Sequence, residues 1–285
     1  MNQQTCYLEA MNLNRPFDLS GKVAVVTGGS GVLCGTLAQA IGRQGASVAV
    51  LAHENLAKAE NVADQITAAG GKAIALQTNV LDKNSLELVA QKIVEQLGQI
   101  DILVNGAGGA KKEATTSPDL SFFDLSEDAV RWVFDLNLIG TFLPCQVFAR
   151  QMAKRGSGIV LNISSMGADR PLTRSVAYSA AKAAVVNFTR WLAVHFAQEY
   201  SPYIRVNALV PGFFLTEQNR FLLFEEESGA LTDRGERIIA HTPLGKFGQP
   251  EDLIGPALLL LSEPGSFMHG TTIVVDGGIS SYGGV

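Results

Sequence analysis

Seven short apolar segments alternate along this chain with stretches of helical periodicity, and that alternation leaves few ways to fold. The apolar runs fall at 22–26, 47–51, 73–77, 102–105, 158–163, 204–209 and 272–275; helical patterns occupy 33–43, 55–69, 83–97, 128–154, 177–200 and 251–261. Parallel strands joined through helices are covered on both faces and read as continuous apolar runs. The sequence therefore predicts an α/β fold: a single Rossmann-type doubly wound parallel sheet with helices on both faces. Residues 1–20 read as an arm. Residues 21–285 hold no linker-like stretch and no internal repeat, so they read as one domain. The stretch 211–241 resists assignment: it mixes Phe213, Phe214, Phe221 and Phe224 with the acidic run Glu225-Glu226-Glu227.

Composition narrows the partners. A chain of 285 residues, 47% hydrophobic, can bury a substantial core. The net charge is -5 and the cations are scattered, so nothing points to nucleic acid. Cys6, Cys34 and Cys145 lie far apart without metal-ligand spacing, which favours a reducing compartment over a disulfide framework. They read as small buried hydrophobes or free thiols. His195 has apolar neighbours and reads as a packed residue; His241 and His269 have no partners at metal spacing, and no metal is expected. Polar residues interrupt the N-terminus, and no uninterrupted apolar run is long enough to cross a membrane. The expectation is a soluble cytoplasmic protein.

Two glycine turns point to a ligand. Thr27-Gly28-Gly29-Ser30-Gly31 separates the first strand from the first helix. Glycines there allow close backbone approach to a pyrophosphate, and the helix N-terminus offers free N–H groups and partial positive charge. Gly28, Gly31 and Gly35 suit this part, with Ser30 as a side-chain donor; an ordinary glycine-rich turn is the alternative. Asn105-Gly106-Ala107-Gly108 follows the fourth strand. Two such turns at the carboxyl ends of neighbouring strands, where the sheet order reverses, frame a ligand crevice.

Chemistry enters with Tyr178-Ser179-Ala180-Ala181-Lys182. Residues four apart share a helix face. A lysine beside a tyrosine favours the phenolate, so Lys182 is expected to draw the Tyr178 pKa below its usual ~10. Ser165, thirteen positions upstream of Tyr178, ends a strand and can hold a substrate oxygen. Ser164 points to the other face and reads as structural. The set describes a proton donor and acceptor for a carbonyl/alcohol pair.

These motifs, in this order over nearly all of 20–280, resemble the short-chain dehydrogenase/reductase family. The family's phosphate turn, Thr-Gly-x-x-x-Gly-x-Gly, matches at Thr27 and Gly28, but its later glycines fall on Val32 and Cys34; Gly29, Gly31 and Gly35 compensate. Its Asn-Asn-Ala-Gly becomes Asn105-Gly106-Ala107-Gly108. The resemblance implies NAD or NADP as cofactor, held by Gly28, Ser30, Gly31, Val32, Leu33, Asn79, Val80, Asn105, Gly106, Ala107, Gly108, Pro211, Gly212, Phe214 and Thr216, with Tyr178 and Lys182 at the nicotinamide. It implies a catalytic set of Asn137, Ser165, Tyr178 and Lys182: Tyr178 as general acid/base, Ser165 orienting the substrate oxygen, Lys182 tuning Tyr178, and Asn137 binding a water that relays protons. The position that selects NAD or NADP is Ala52, with neither carboxylate nor arginine. His53 beside it can meet a 2′-phosphate or be a solvated loop residue.

Gly31-Val32-Leu33-Cys34-Gly35, the Lys111-Lys112 loop, 213–220 and Ala240-His241-Thr242-Pro243 are similar to one bacterial subgroup, the D-mannonate oxidoreductases or fructuronate reductases. That resemblance implies D-fructuronate reduced to D-mannonate. An anionic, hydroxyl-rich substrate needs a cation and polar donors. Lys111, Lys112, Arg170, Arg174 and Arg220 are candidates for the carboxylate, Gln218 and Asn219 for hydroxyls; each is alternatively a solvated loop residue. A neutral ketose or polyol reductase is the rival within the same chemistry. A non-catalytic dinucleotide-binding protein ranks below both, because all four catalytic positions are filled. Surplus apolar surface on 177–200 and 128–154 suggests a symmetric interface, and the resemblance implies a homotetramer. The segment 213–240 is expected to act as a substrate lid.

Overall fold

The computed structural model describes residues 15–216, 220, 223–225 and 228–284. Seven strands form one parallel sheet: β1 (Val23–Thr27), β2 (Ser47–Ala52), β3 (Lys72–Gln77), β4 (Ile102–Asn105), β5 (Gly158–Ile163), β6 (Ile204–Pro211) and β7 (Thr272–Val275). Their spatial order is β3-β2-β1-β4-β5-β6-β7, so the order reverses between β1 and β4. Across that pair Thr27 lies opposite Asn105, which brings the two glycine turns side by side.

Both parities of the central strands are apolar because both faces are covered. On one face Ala24, Val26, Val48, Val50 and Val104 pack against α1 (Val32–Arg43), α2 (Leu56–Ala68) and the helix Ile254–Leu261. On the other, Val25, Ala49, Leu103 and Val160 meet α3 (Lys83–Leu97) and the helices Gly140–Arg155 and Val176–Glu199. The Asp82 carboxylate accepts from the N–H groups of Asn84 and Ser85 and starts α3.

The expected helix at 128–154 is three pieces in one run: α4 (Glu127–Phe134), a π-helical turn over Asp135–Ile139, and α5 (Gly140–Arg155). This run Glu127–Arg155 is long and apolar enough to cross a membrane by length and composition, although the sequence offered no uninterrupted apolar stretch; half of its most apolar window is buried inside the molecule. α6 (Val176–Glu199) follows β5. The stretch read as irregular contains α7 (Asp233–Ala240), started by Thr232, whose hydroxyl accepts from Gly235 N–H. Leu223, Ile238 and Phe247 form a small apolar core beneath it. The last helix, α8 (Ile254–Leu261), is entered through a tighter turn at Pro250–Leu253.

The packed chain begins before the expected boundary at residue 20. Leu19 is buried in the core, Phe17 packs against it, and Leu19 N–H donates to Gln44 O at 2.8 Å.

Candidate active site

The crevice is built where the β1 and β4 turns touch. Thr27 Oγ1 accepts from Gly106 N–H at 3.1 Å and Ala107 N–H at 3.2 Å. Gly28 has φ +65°, and a Cβ there would lie 2.9 Å from Ala107 N and Gly106 C, so only glycine fits. Beyond it, Gly31 starts α1 with no side-chain cap and no acid in the first turn. An uncapped helix start at the carboxyl edge of the sheet, with backbone approach left open by glycine, fits a dinucleotide pyrophosphate.

The other cofactor candidates fall into place with different environments. Val32 is exposed at the helix start, while Leu33 packs on the core. His53 is exposed at the end of β2, 3.8 Å from the Glu54 carboxylate. Asn79 Oδ1 accepts from Leu81 N–H at 2.9 Å, and Val80 is buried against Gly140. Pro211 ends β6, and Gly212 abuts Asp276 too closely for a Cβ. The Phe214 ring is turned into the core against Gly248, so its ring contributes packing there. Thr216 is half-buried.

At the other end of the crevice Ser165 lies just past β5 and Tyr178 in the first turn of α6. The Ser165 side chain is near enough to the Tyr178 hydroxyl to favour its ionised form, and Ser165 Oγ accepts from Gly167 N–H at 3.2 Å. Lys182 is buried one turn on, its Nζ 5.7 Å from the centre of the Tyr178 ring and donating to Ile163 O at 2.9 Å. Ser164 Oγ donates to Lys182 O at 2.9 Å, which ties the helix backbone to the strand end. Asn137, fully buried in the π turn, donates to Gly109 O at 2.7 Å and Val133 O at 2.8 Å, and accepts from Gly109 N–H at 3.2 Å. Its main-chain carbonyl accepts from Thr141 Oγ1 at 2.8 Å. A Cβ on Gly108 would sit 2.7 Å from Asn137 Oδ1 and 3.1 Å from Lys182 Nζ, so this turn, Asn137 and Lys182 are packed together.

Electrostatics correct one expectation. Tyr178 is pushed above its ordinary pKa by burial, opposed only by the hydrogen bond with Ser165. Lys182 does not outweigh that burial, and burial lowers the pKa of its own ammonium as well, to about 8. Burial thus shifts each of the two groups toward its neutral form.

A family model described as short chain dehydrogenase matches residues 22–226. The chain belongs to the short-chain dehydrogenase family. It is 47% identical over 277 residues to UxuB of Bacillus subtilis (strain 168), an uncharacterized oxidoreductase, covering 94% of this chain and 98% of the relative. A crystal structure from Haemophilus influenzae, of a candidate D-mannonate oxidoreductase with bound NAD, is 42% identical with a TM-score of 0.88, covering 96% and 100% of the two chains. One from Beutenbergia cavernae, of a candidate NAD(P)-dependent gluconate 5-dehydrogenase with NADP at low occupancy, is 32% identical with a TM-score of 0.81, covering 93% and 99%. This protein is therefore an oxidoreductase that interconverts alcohol and carbonyl with a nicotinamide cofactor.

Around the dehydrogenase site two loops are joined: Thr116 N–H donates to Arg174 O at 3.0 Å. Lys111 Nζ lies over the Trp132 ring at 4.5 Å. Lys112 and Arg174 are exposed, and Arg170 is exposed 3.9 Å from Asp169. The Arg220 guanidinium covers the Phe224 ring at 4.9 Å. Gln218 and Asn219 lie outside the described residues. Among the described residues no cluster of His, Cys, Asp and Glu could hold a metal.

Sequence reasoning missed several supports. The Thr27 hydroxyl joins the two turns. Asn105 Nδ2 donates to Asn162 Oδ1 and Cys145 Sγ, and Asn162 Nδ2 donates to Thr189 Oγ1, a buried polar chain linking β4, β5, α5 and α6. Its signal was available: Asn162 is a polar residue inside an apolar strand.

Proposed function

We propose that this dehydrogenase interconverts D-fructuronate and D-mannonate, with Tyr178, Ser165, Lys182 and Asn137 carrying the proton chemistry. The observation that carries the reading is the convergence of Tyr178 and Ser165 with Lys182, whose Nζ lies 5.7 Å from the centre of the Tyr178 ring. A bound nicotinamide gives hydride to the substrate carbon or takes it back. In reduction Tyr178 Oη donates its proton to the carbonyl oxygen, and Ser165 Oγ steadies that oxygen. Tyr178 with a raised pKa keeps the proton to be donated. Lys182, charged below about pH 8, stabilises the phenolate left behind. Asn137 clamps the Gly106–Gly109 turn beside Lys182, and its carbonyl retains a second lone pair for a water that returns the proton.

The uronate rests on the candidate D-mannonate oxidoreductase that this chain resembles and on Lys111, Arg170 and Arg174 in the two joined loops. We place the lid at 213–240; within it Leu223 and Ile238 share a small apolar cluster with Phe247. We further infer a cytoplasmic homotetramer. A groove of about 500 Å³ between α5 and α6, lined by Phe142, Phe188, Trp191 and His195, offers the apolar surface for it.

Purified protein mixed with D-fructuronate should oxidise NADH or NADPH, followed by absorbance in parallel. Removing the carboxylate-binding cation among Lys111, Arg170 and Arg174 should raise KM for the uronate. No oxidation with cofactor binding intact would shift the assignment to neutral ketoses or polyols.

A further inference from the structure

Two departures from the family pattern, 72 positions apart, meet in space. Cys34 stands where the phosphate turn carries a glycine, and Gly106 where the second turn carries an asparagine. Cys34 is buried in the first turn of α1. A Cβ built on Gly106 would overlap Cys34 Sγ and lie 3.0 Å from the Thr27 main-chain oxygen and 3.2 Å from Cys34 Cβ. The thiol thus occupies the volume that any side chain at 106 would need. Thr27 Oγ1 holds the N–H groups of Gly106 and Ala107 in the same turn.

The turn is wedged between the Thr27 hydroxyl and the Cys34 thiol. Two residues on, Gly108 packs on Asn137 and on Lys182 Nζ. Cys34 and Lys182 also lie within electrostatic reach, since each influences the other's titration. A displacement of the turn at residue 106 therefore carries to the catalytic end. A void behind the turn would let it sink, and an added methyl group would force it outward.

We propose that Cys34 is a positioning residue for the cofactor. Its thiol substitutes for the side chain missing at 106, and so sets the distance of the Gly106–Gly108 turn from the phosphate turn. The small residue at 106 and the larger one at 34 form one unit of exchange, and neither is replaceable alone. The proposal rests on the dinucleotide chemistry of the family and not on the uronate assignment.

The test measures binding of NADH and NADPH by their fluorescence, without substrate, for Gly106→Ala, Cys34→Ala, Cys34→Ser and the double variant Cys34→Ala/Gly106→Ala. Gly106→Ala should weaken the better-bound cofactor about tenfold, because the added methyl group overlaps the thiol. Cys34→Ala should weaken it about threefold through the space left behind the turn. Cys34→Ser, nearly equal in volume, should bind close to the wild type. The double variant should bind at least about fivefold better than Gly106→Ala alone, since removing Sγ takes away the one outright overlap and leaves tight contacts with Thr27 O and the residue 34 Cβ. In turnover the same variants should raise KM for the reduced cofactor more than they lower kcat. Binding by Gly106→Ala within about twofold of the wild type, or a double variant no better than Gly106→Ala, would overturn the proposal. If Gly106→Ala fails to fold, Cys34→Ala decides: unchanged cofactor affinity with a lowered melting temperature would reduce Cys34 to ordinary packing.

Discussion

Lys182→Met separates what the buried ammonium does for chemistry from what it does to stability. Lys182 is 4% exposed, and burial lowers its pKa from 10.5 to about 8. At about 1.4 kcal/mol per pH unit, charging it costs the fold about 3 kcal/mol. The folded pKa lies below the unfolded one, so between pH 8 and 10.5 the unfolded chain binds more protons and stability rises with pH. The cost is therefore complete below pH 8 and gone above about 10.5. Methionine keeps the unbranched shape but leaves the Ile163 carbonyl without its donor, a loss of about 1–2 kcal/mol at any pH. The two terms together make the variant more stable than the wild type by about 1–2 kcal/mol at pH 7 and less stable by about 1–2 kcal/mol near pH 10.5. Urea unfolding of both proteins without cofactor, at one concentration and at the two pH values, reads the difference. Only the difference is informative. Tyr178, Cys34 and Cys145 all have raised pKa values, and each lowers wild-type stability as pH climbs past its unfolded value. An advantage of the same size at both pH values, or a variant less stable at pH 7, would refute the assignment of the low lysine pKa to burial.

Tyr178→Phe should lower kcat by about 10²–10⁴-fold, because it removes the transferable proton, while NADH affinity stays within about threefold and stability within about 1 kcal/mol; more than a tenth of wild-type turnover would take the proton role away from Tyr178. Asn137→Ala should lose its hydrogen bonds with Gly109 and Val133, lowering unfolding free energy by about 2–3 kcal/mol and turnover with it. Urea unfolding and steady-state kinetics on the same sample would show whether the two fall together, and an unchanged midpoint would contradict the clamp.

Most of the fold was legible because parallel strands covered on both faces are apolar at both parities. The seven runs appear as the seven strands, with ends shifted by a residue or two where Thr27, Ala52 and Pro211 continue a ladder beyond the apolar run. The π turn was invisible: its one extra residue per turn leaves the apolar periodicity of 128–154 nearly intact, and Asn137 alone hints at it. α7 hid behind Gly235 and the surrounding aromatics, although Thr232 with Asp233 and Glu236 behind it is the pattern of a capped helix start. The titration of Tyr178 was not legible, because spacing puts a lysine nearby but cannot say how far burial opposes it.

The same limit explains the paired departures at residues 34 and 106. Read along the chain, a missing glycine in one turn and a missing asparagine in another are two weakenings of a motif. The parallel register changes their meaning. With Thr27 opposite Asn105, the residue after Asn105 faces the start of α1, and a glycine at 106 becomes the space into which the Cys34 thiol fits. Close packing then turns two losses into one exchange, since a void behind a turn and an overlap behind it both move the turn. A motif match scored position by position would count this chain as a poorer dinucleotide binder. Scored as a packed pair, the crevice is intact, with its wall built from the opposite side.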